Sequence, residues 1–528
     1  MNRYFAILFL PIIFFLSSCS SSTKTDRIDL SNTDFIYLKE KKFMHKGKEF
    51  FPVMINYIVE FRKLNDTLVL SPSKDYETVN IYESNNFASI KQQLTTHFQL
   101  IKEIGFNTLR IVFDRVCYEN SKPYYFCENK KIFINEHKNE IISALKDIIK
   151  IAKNNKLRVM LLIQPPVNNS ITETFTQNLL KFFQNEPTIY AYDFMNEPLY
   201  FDNYTLPEDQ KAREKNEAFQ IVSSWKDMMN KYAPFQLLTI GFAEPIEVFE
   251  WDPEILPVDF VSFHTYNPMR VMNEIYWYSK YINKPWMIGE TSLPADNKIN
   301  TYDEQREFLV KTFKRVVDCG GAGYGWWQFQ EVPASVYEHA YTGIMNHNGI
   351  TFTKDKKMKM IGTIKPAAFE IEDLKRYKST NSCKQMVNYY NMLGYENIVL
   401  LGQIIDKSTL RPIEGAVIRG WNKDWSVGVN TFSNDKGIFT LFSNDICVHF
   451  EISAPSMSKL KFDYQAKYIA LGNHQVSINN LPNKKLEYHS ISYKNFLQHS
   501  GSIFDFDSTK FNKAYFKGIM EPKYLKKL

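Results

Sequence analysis

Residues Thr188 to Pro198 read TIYAYDFMNEP. The first eight are almost all apolar or aromatic, with no Gly, Pro or Asn among them. Such a run suits a strand buried on both faces, as in a parallel sheet. It ends in Asn196-Glu197-Pro198, and another Asn-Glu-Pro, at 185–187, stands just before it. A strand of that length spans about 26 Å at ~3.3 Å per residue. The two tripeptides therefore mark opposite ends of one strand. Glu186 enters it and Glu197 leaves it.

Similar runs recur on both sides: FFPVMINY (50–57), NTLRIVF (107–113), LRVMLLI (157–163), QLLTI (236–240), VDFVSF (258–263), PWMIG (285–289) and GAGYGWWQF (321–329). Helical patterns separate most of them. One covers 90–104 and stops at Gly105; another covers 136–153, with apolar residues at 141, 142, 145, 148, 149 and 152. Thr301-Tyr302-Asp303-Glu304 has the form of a capping box for a further helix. Eight strands with intervening helices over about 340 residues predict a (β/α)8 TIM barrel. A doubly wound open sheet is the main rival, but no GxGxxG follows the first strand. A hairpin, FMHKGKEFFPVMINY, opens the barrel, and residues 60–88 read as an irregular insertion loop.

From Ile398 onward short alternating strands replace this pattern, with a turn at Asn434-Asp435-Lys436-Gly437. A small all-β, Ig-like sandwich is expected there. The expected division is a signal peptide at 1–18, a linker at 19–36, the barrel at 37–378, a linker at 379–396, the sandwich at 397–482 and a tail at 483–528.

Of the 528 residues 44% are hydrophobic and 23% charged, which is the balance of a globular chain. The formal net charge of +6 is mild and no long Lys/Arg block occurs, so nothing favours nucleic acid as a partner. The N-terminus is basic at Arg3, apolar from Tyr4 to Leu16, and ends Leu16-Ser17-Ser18-Cys19. That ending resembles the bacterial lipoprotein box, which implies cleavage before Cys19, lipid on its sulfur and a membrane anchor in the cell envelope. Cys117 and Cys127 flank one loop and could pair in an oxidising compartment. No CxxC or HExxH pattern points to zinc, so neither a metal nor a cofactor is expected, and the chain is expected to be monomeric.

Barrel active sites lie at the C-terminal ends of the strands. The polar residues there are Arg110, Asn196, Glu197, His264, Tyr266 and Glu290, with Trp326 and Trp327 on the last strand. Two carboxylates on different strands suit glycoside hydrolysis, in which one protonates the leaving oxygen and the other attacks the anomeric carbon.

The segments YDFMNEP, SFHTYNP and PWMIGET resemble the glycoside hydrolases of clan A, and the whole set resembles the cellulase-like family 5 across about residues 37–378. The resemblance implies Glu197 as acid/base and Glu290 as nucleophile. It implies that Asn196 binds the sugar 2-hydroxyl and that Arg110 and Tyr266 hold Glu290. It places His264 in the catalytic subsite and Trp327 under the sugar, with Trp326 as the alternative. Thr291 after the nucleophile and Gln164-Pro165-Pro166 after the third strand depart from the family pattern. The implied substrate is a carbohydrate of β-mannan or β-glucan type, cleaved with retention. An inactive glycan-binding surface protein and a transglycosidase are the alternatives. Gly402 to Asp406, Pro412 to Val417 and Asn434 to Phe439 resemble the carboxypeptidase regulatory-like domain.

Overall fold

The computed structural model describes residues 30–73, 87–113, 116–127, 130–164, 169–198, 215–243, 245–249, 251–268, 270–332, 337–384, 398–406, 409–424, 428–443, 445, 447–463, 469–471, 474–476 and 523–525. The signal peptide, Cys19 and nearly all of the tail expected at 483–528 lie outside the described residues.

The chain opens with a small antiparallel sheet, β1 (Ile36–Lys39), β2 (Lys42–His45) and β3 (Lys48–Glu49). The barrel follows. Its strands are β4 (Val53–Leu64), β6 (Thr108–Val112), β10 (Arg158–Leu162), β11 (Ile189–Asn196), β12 (Leu237–Ala243), β13 (Val261–His264), β14 (Trp286–Glu290) and β15 (Tyr324–Trp326). Each pairs in parallel with the next, and β15 closes on β4 with Gly325 opposite Met54. This is a closed eight-stranded (β/α)8 barrel, and the open sheet is excluded. The main helices are α1 (Phe87–Ile104), α2 (Ile134–Asn154), α3 (Ser170–Phe183), α4 (Lys215–Tyr232), α5 (Val271–Tyr281) and α6 (Tyr302–Asp318). Gly105, at φ +123°, ends α1, and the Thr301/Glu304 capping box starts α6 as the sequence predicts.

Closure leaves strands covered on both sides. Outward residues such as Leu109, Leu161, Phe263 and Ile288 pack on the helices in one continuous core. Inward residues at the bottom form a separate cluster, in which Met54, Met160, Tyr190, Phe260 and Met287 meet Ile36 and Phe43 of the opening sheet. The hairpin thus plugs the N-terminal face. Glu186 stands at that face, 3.1 Å from Lys153 Nζ, and accepts the Thr188 N–H at 3.0 Å.

Part of the segment expected to be an irregular loop is ordered. β4 runs on to Leu64 and turns at Asn65-Asp66 into β5 (Thr67–Pro72), which pairs with it antiparallel. Leu68, Val69 and Leu70 are buried, which explains why this hairpin forms. β7 (Cys117–Glu119), β8 (Lys122–Cys127) and β9 (Lys130–Phe133) extend the same sheet. Cys117 there faces Tyr124 and Cys127 faces Lys130, so the two cysteines are not opposite one another. The disulfide among the described residues is instead Cys319–Cys383. It fastens residues 379–384, expected as a linker, to the end of α6. Asp318 accepts the Thr380 N–H at 2.7 Å beside it.

After β15 come the short helix α7 (Tyr337–Ala340), the hairpin β16 (Ile350–Phe352) and β17 (Lys359–Ile361), and two single-turn helices, α8 (Pro366–Phe369) and α9 (Ile371–Leu374), where one longer helix was expected. Further along, β18 (Ile398–Asp406) pairs antiparallel with β21 (Ile438–Ser443). β19 (Val417–Asn422) lies between β20 (Gly428–Phe432) and β22 (Cys447–Ser453), with β23 (Leu460–Asp463) beyond. These strands join the barrel's core through Val417, Ile418 and Leu441. Lys215 at the start of α4 is buried against them. It contacts Asp252 at 2.9 Å and donates to the Ala454 carbonyl at 2.8 Å and to that of Met457. Among the described residues no helix is long and apolar enough to cross a membrane.

Candidate active site

The C-terminal ends of β6, β11, β13 and β14 converge on Arg110. Its side chain is fully buried, and all five of its N–H groups have acceptors. Nε and Nη2 both reach Asp193 Oδ2, at 2.9 and 2.8 Å. Nη2 also donates to Asn196 Oδ1 at 2.6 Å. Nη1 donates to Asn56 Oδ1 at 3.0 Å and to Glu290 Oε1. Tyr266 OH donates to the other Glu290 oxygen.

Simple strand alternation would not bring Asp193, Asn196 and Glu197 to one side. A bulge does. Asp193 pairs with Thr239 and Asn196 with Gly241, so β11 carries one residue more than β12 over this span. Asp193 Oδ1 accepts the Gly241 N–H at 3.1 Å within the disturbed ladder. A second bulge lies on β14, where Phe263 pairs with Ile288 but His264 pairs with Glu290. The extra residue is Gly289, whose missing Cβ would lie 2.0 Å from Ser262 Oγ. The bulges thus bring Asn196 to the side of Asp193 and turn Glu290 away from the side of Ile288. Glu197 also sits at φ +44°, a left-handed conformation costing a non-glycine residue about 1 kcal/mol or more. Its N–H bonds the Gly241 carbonyl at 2.7 Å, which helps hold it there.

His264 lies between the two carboxylates. Its Nδ1 is 2.9 Å from Glu197 Oε1 and 3.5 Å from Glu290 Oε1. The ring needs Gly241 behind it, where a Cβ would come within 2.6 Å. Burial lowers the His264 pKa to about 4, so the ring is neutral at pH 7. Burial pushes Glu197 up to about 7, although Arg110 and His339 pull the other way. Burial, with the neighbouring Glu290 and Glu197 charges, holds the Tyr266 phenol well above its usual range, so it remains a donor. Arg110 is held above its ordinary value because Asp193 and Glu290 outweigh its burial.

The ligand-type atoms of Glu197, His264 and Glu290 lie within 4.8 Å of one another. Such a trio could hold a cation, but the fit is poor. Both Glu290 oxygens already accept hydrogen bonds, and the Arg110 charge stands directly against one of them.

The structure therefore brings together Arg110, Asn196, Glu197, His264, Tyr266 and Glu290. Trp327 follows β15, is partly exposed, and donates its N–H to the Thr291 carbonyl at 3.0 Å. Trp326 does not share this site. It is fully buried on the helix side, 6.4 Å from the Phe308 ring, with its indole N–H on the Thr342 carbonyl at 3.0 Å. Successive strand residues face opposite ways, and this alternation separates the pair.

No protein-family model matches the sequence, and no curated protein matches it. Solved structures do. An exo-β-1,4-mannosidase from Opitutaceae bacterium strain TAV5 has a TM-score of 0.44 at 13% identity, over 65% of this chain and 61% of that one. A β-glucosidase from Thermotoga maritima has 0.40 at 10%, over 62% and 98%. An endo-1,4-β-mannanase from Rhizomucor miehei has 0.38 at 13%, over 58% and 93%. The chain spans less than two thirds of the mannosidase's length. Its barrel stands on its own strand pairing rather than on these distant likenesses.

Sequence reading missed Asn56, Asp193 and His339. The first two had a signal: each is a lone polar residue in an apolar strand, and such a residue faces either a partner or the barrel interior. His339, on a short helix after β15, had none.

Proposed function

We propose that the chain is a retaining β-glycosidase working by double displacement, with Glu197 as acid/base and Glu290 as nucleophile. The observation that carries this reading is the pair's geometry. Carboxylate oxygens within 4.8 Å match the short separation of retaining enzymes, about 5–5.5 Å between carboxyl groups, and leave no room for the water an inverting enzyme needs. Their surroundings also differ in the required sense. Glu197, raised to about 7, can carry a proton at neutral pH. Glu290 accepts hydrogen bonds from Arg110 and Tyr266, which fix its two oxygens.

In the first step Glu290 attacks the anomeric carbon while Glu197 protonates the departing oxygen. Glu290 loses its charge in the ester, and the Glu197 proton becomes easier to lose. Glu197 then takes a proton from water, which attacks the anomeric carbon and releases Glu290. Neutral His264, beside Glu197 Oε1, orients that carboxyl without competing for the role of cation. Asn196, fixed by Arg110, is placed to bind the sugar 2-hydroxyl, and Trp327 offers an aromatic face to the ring.

The substrate we propose is of β-mannan or β-glucan type. We also propose a lipid anchor at Cys19 and a place in the bacterial cell envelope. The Cys319–Cys383 disulfide supports export, because such bonds persist in oxidising compartments. The strands from β18 onward are proposed to form a carboxypeptidase regulatory-like sandwich that serves as a spacer. The test is a screen of purified protein on a polysaccharide and aryl β-glycoside panel, with Glu290→Ala as control. Activity surviving in that variant would sink the mechanism, and product analysis separates hydrolysis from transglycosylation.

A further inference from the structure

Arg110 is the only cation bonded to Glu290 among the described residues, yet its principal partner is a different carboxylate. Asp193 takes two of the five N–H groups and is itself fully buried. Asn56 and Asn196 take one each, which leaves one Nη1–H for Glu290. Asn56 is fixed in turn, with its amide nitrogen 3.0 Å from both the Gly289 and the Trp326 carbonyls. The guanidinium can therefore neither rotate nor slide toward Glu290.

Charge matters as well as position. A guanidinium facing Glu290 alone would stabilise its anion strongly and make it a poor nucleophile. A second buried carboxylate on the same guanidinium shares that charge. We propose that Asp193 is a positioning residue that locks Arg110 and offsets its charge, keeping the Glu290 carboxylate reactive toward the anomeric carbon. The idea rests on the retaining-glycosidase reading above. Asp193 also reaches the acid/base side, since Gly241 donates its N–H to Asp193 and accepts the N–H of Glu197.

The charged and titratable groups around Asp193 are Arg110 from β6, His264 from β13, Glu290 from β14 and Tyr190 on its own strand. Removing the Asp193 charge therefore leaves the Arg110 field unopposed on Glu290. The experiment compares Asp193→Asn, Asp193→Ser and Asp193→Glu with the wild type, on an aryl β-glycoside with a good leaving group. Asp193→Asn and Asp193→Ser should lower kcat/KM ~10–100-fold and move its acidic limb to lower pH. Asp193→Glu, which keeps the charge, should hold the acidic limb near its wild-type position. Two variants without the charge guard against one failing to fold. Lower amplitude with an unmoved acidic limb in the uncharged variants would overturn the proposal and leave Asp193 a structural residue. A wild type that neither turns over nor labels covalently would overturn the glycosidase reading itself, and this inference with it.

Discussion

Glu197 and Glu290 stand on strands three positions apart around the barrel, each just past a β-bulge, with carboxylate oxygens within 4.8 Å. Without the bulge in β14, alternation would put Glu290 on the helix side with Ile288, and without the bulge in β11 it would part Asn196 from Asp193 and Glu197. The acid/base account depends on this shared geometry and on the unlike surroundings it creates.

The first consequence is kinetic. Glu197 must be protonated to act as acid, and burial raises it to about 7. kcat/KM should therefore fall as pH rises above about 7. Glu197→Gln should remove that basic limb and cost ~10²–10⁴-fold on substrates with poor leaving groups. Activated aryl glycosides should be attacked almost normally. Steady-state kinetics across leaving groups and pH checks this.

The same shift has a stability cost of defined sign. The folded Glu197 pKa lies above the ordinary glutamate value of 4.5, so the folded protein binds the proton more tightly. The favourable contribution is complete below pH 4.5 and is lost as pH rises through about 7. At pH 8 the ionised group costs up to roughly 3 kcal/mol. Glu197→Gln should thus raise Tm at pH 8 and change it little at pH 5, as calorimetry at the two pH values would show.

Glu186, in the other Asn-Glu-Pro, lies at the barrel's bottom with Lys153. Glu186→Gln should leave kcat and KM unchanged. It should cost no more than about 1 kcal/mol of stability, since the ion pair is partly exposed and the amide can still accept the Thr188 N–H. Parallel assays of this variant and Glu197→Gln separate the two ends of the strand.

Lys215 is buried with Asp252 and two carbonyls at the seam between α4 and the strands from β18 onward. Lys215→Ala leaves Asp252 without its counter-ion and should destabilise by roughly 3–5 kcal/mol. Denaturant unfolding should show an earlier transition, and limited proteolysis should release the C-terminal strands first.

Much of this was legible in the sequence, for physical reasons. Continuous apolar strands such as LRVMLLI announce burial on both faces, and eight of them with helices between allow few closures. The residues at the strand ends, from Arg110 to Glu290, followed from the rule for where barrel sites lie. The β4–β5 hairpin was missed because its second strand has only a short apolar run, Leu68 to Leu70, set between the polar turn Asn65-Asp66 and Ser71-Pro72. Trp326 and Trp327 could not be told apart, because the direction of one strand residue depends on the register of the whole strand. Asp193 and Asn196 were placed by a bulge, and a bulge depends on pairing with a distant strand. The Cys319–Cys383 bond likewise joins residues that only the folded chain brings together.

The most direct test of the central claim is covalent capture of Glu290. Wild-type protein is incubated with 2-deoxy-2-fluoro aryl β-glycosides of the gluco and manno series and analysed by intact-mass and peptide mass spectrometry. The account predicts one glycosyl adduct, on the peptide containing Glu290, and none in Glu290→Ala. Turnover of the parent glycosides with an adduct on another residue, or with inversion at the anomeric carbon, would contradict it.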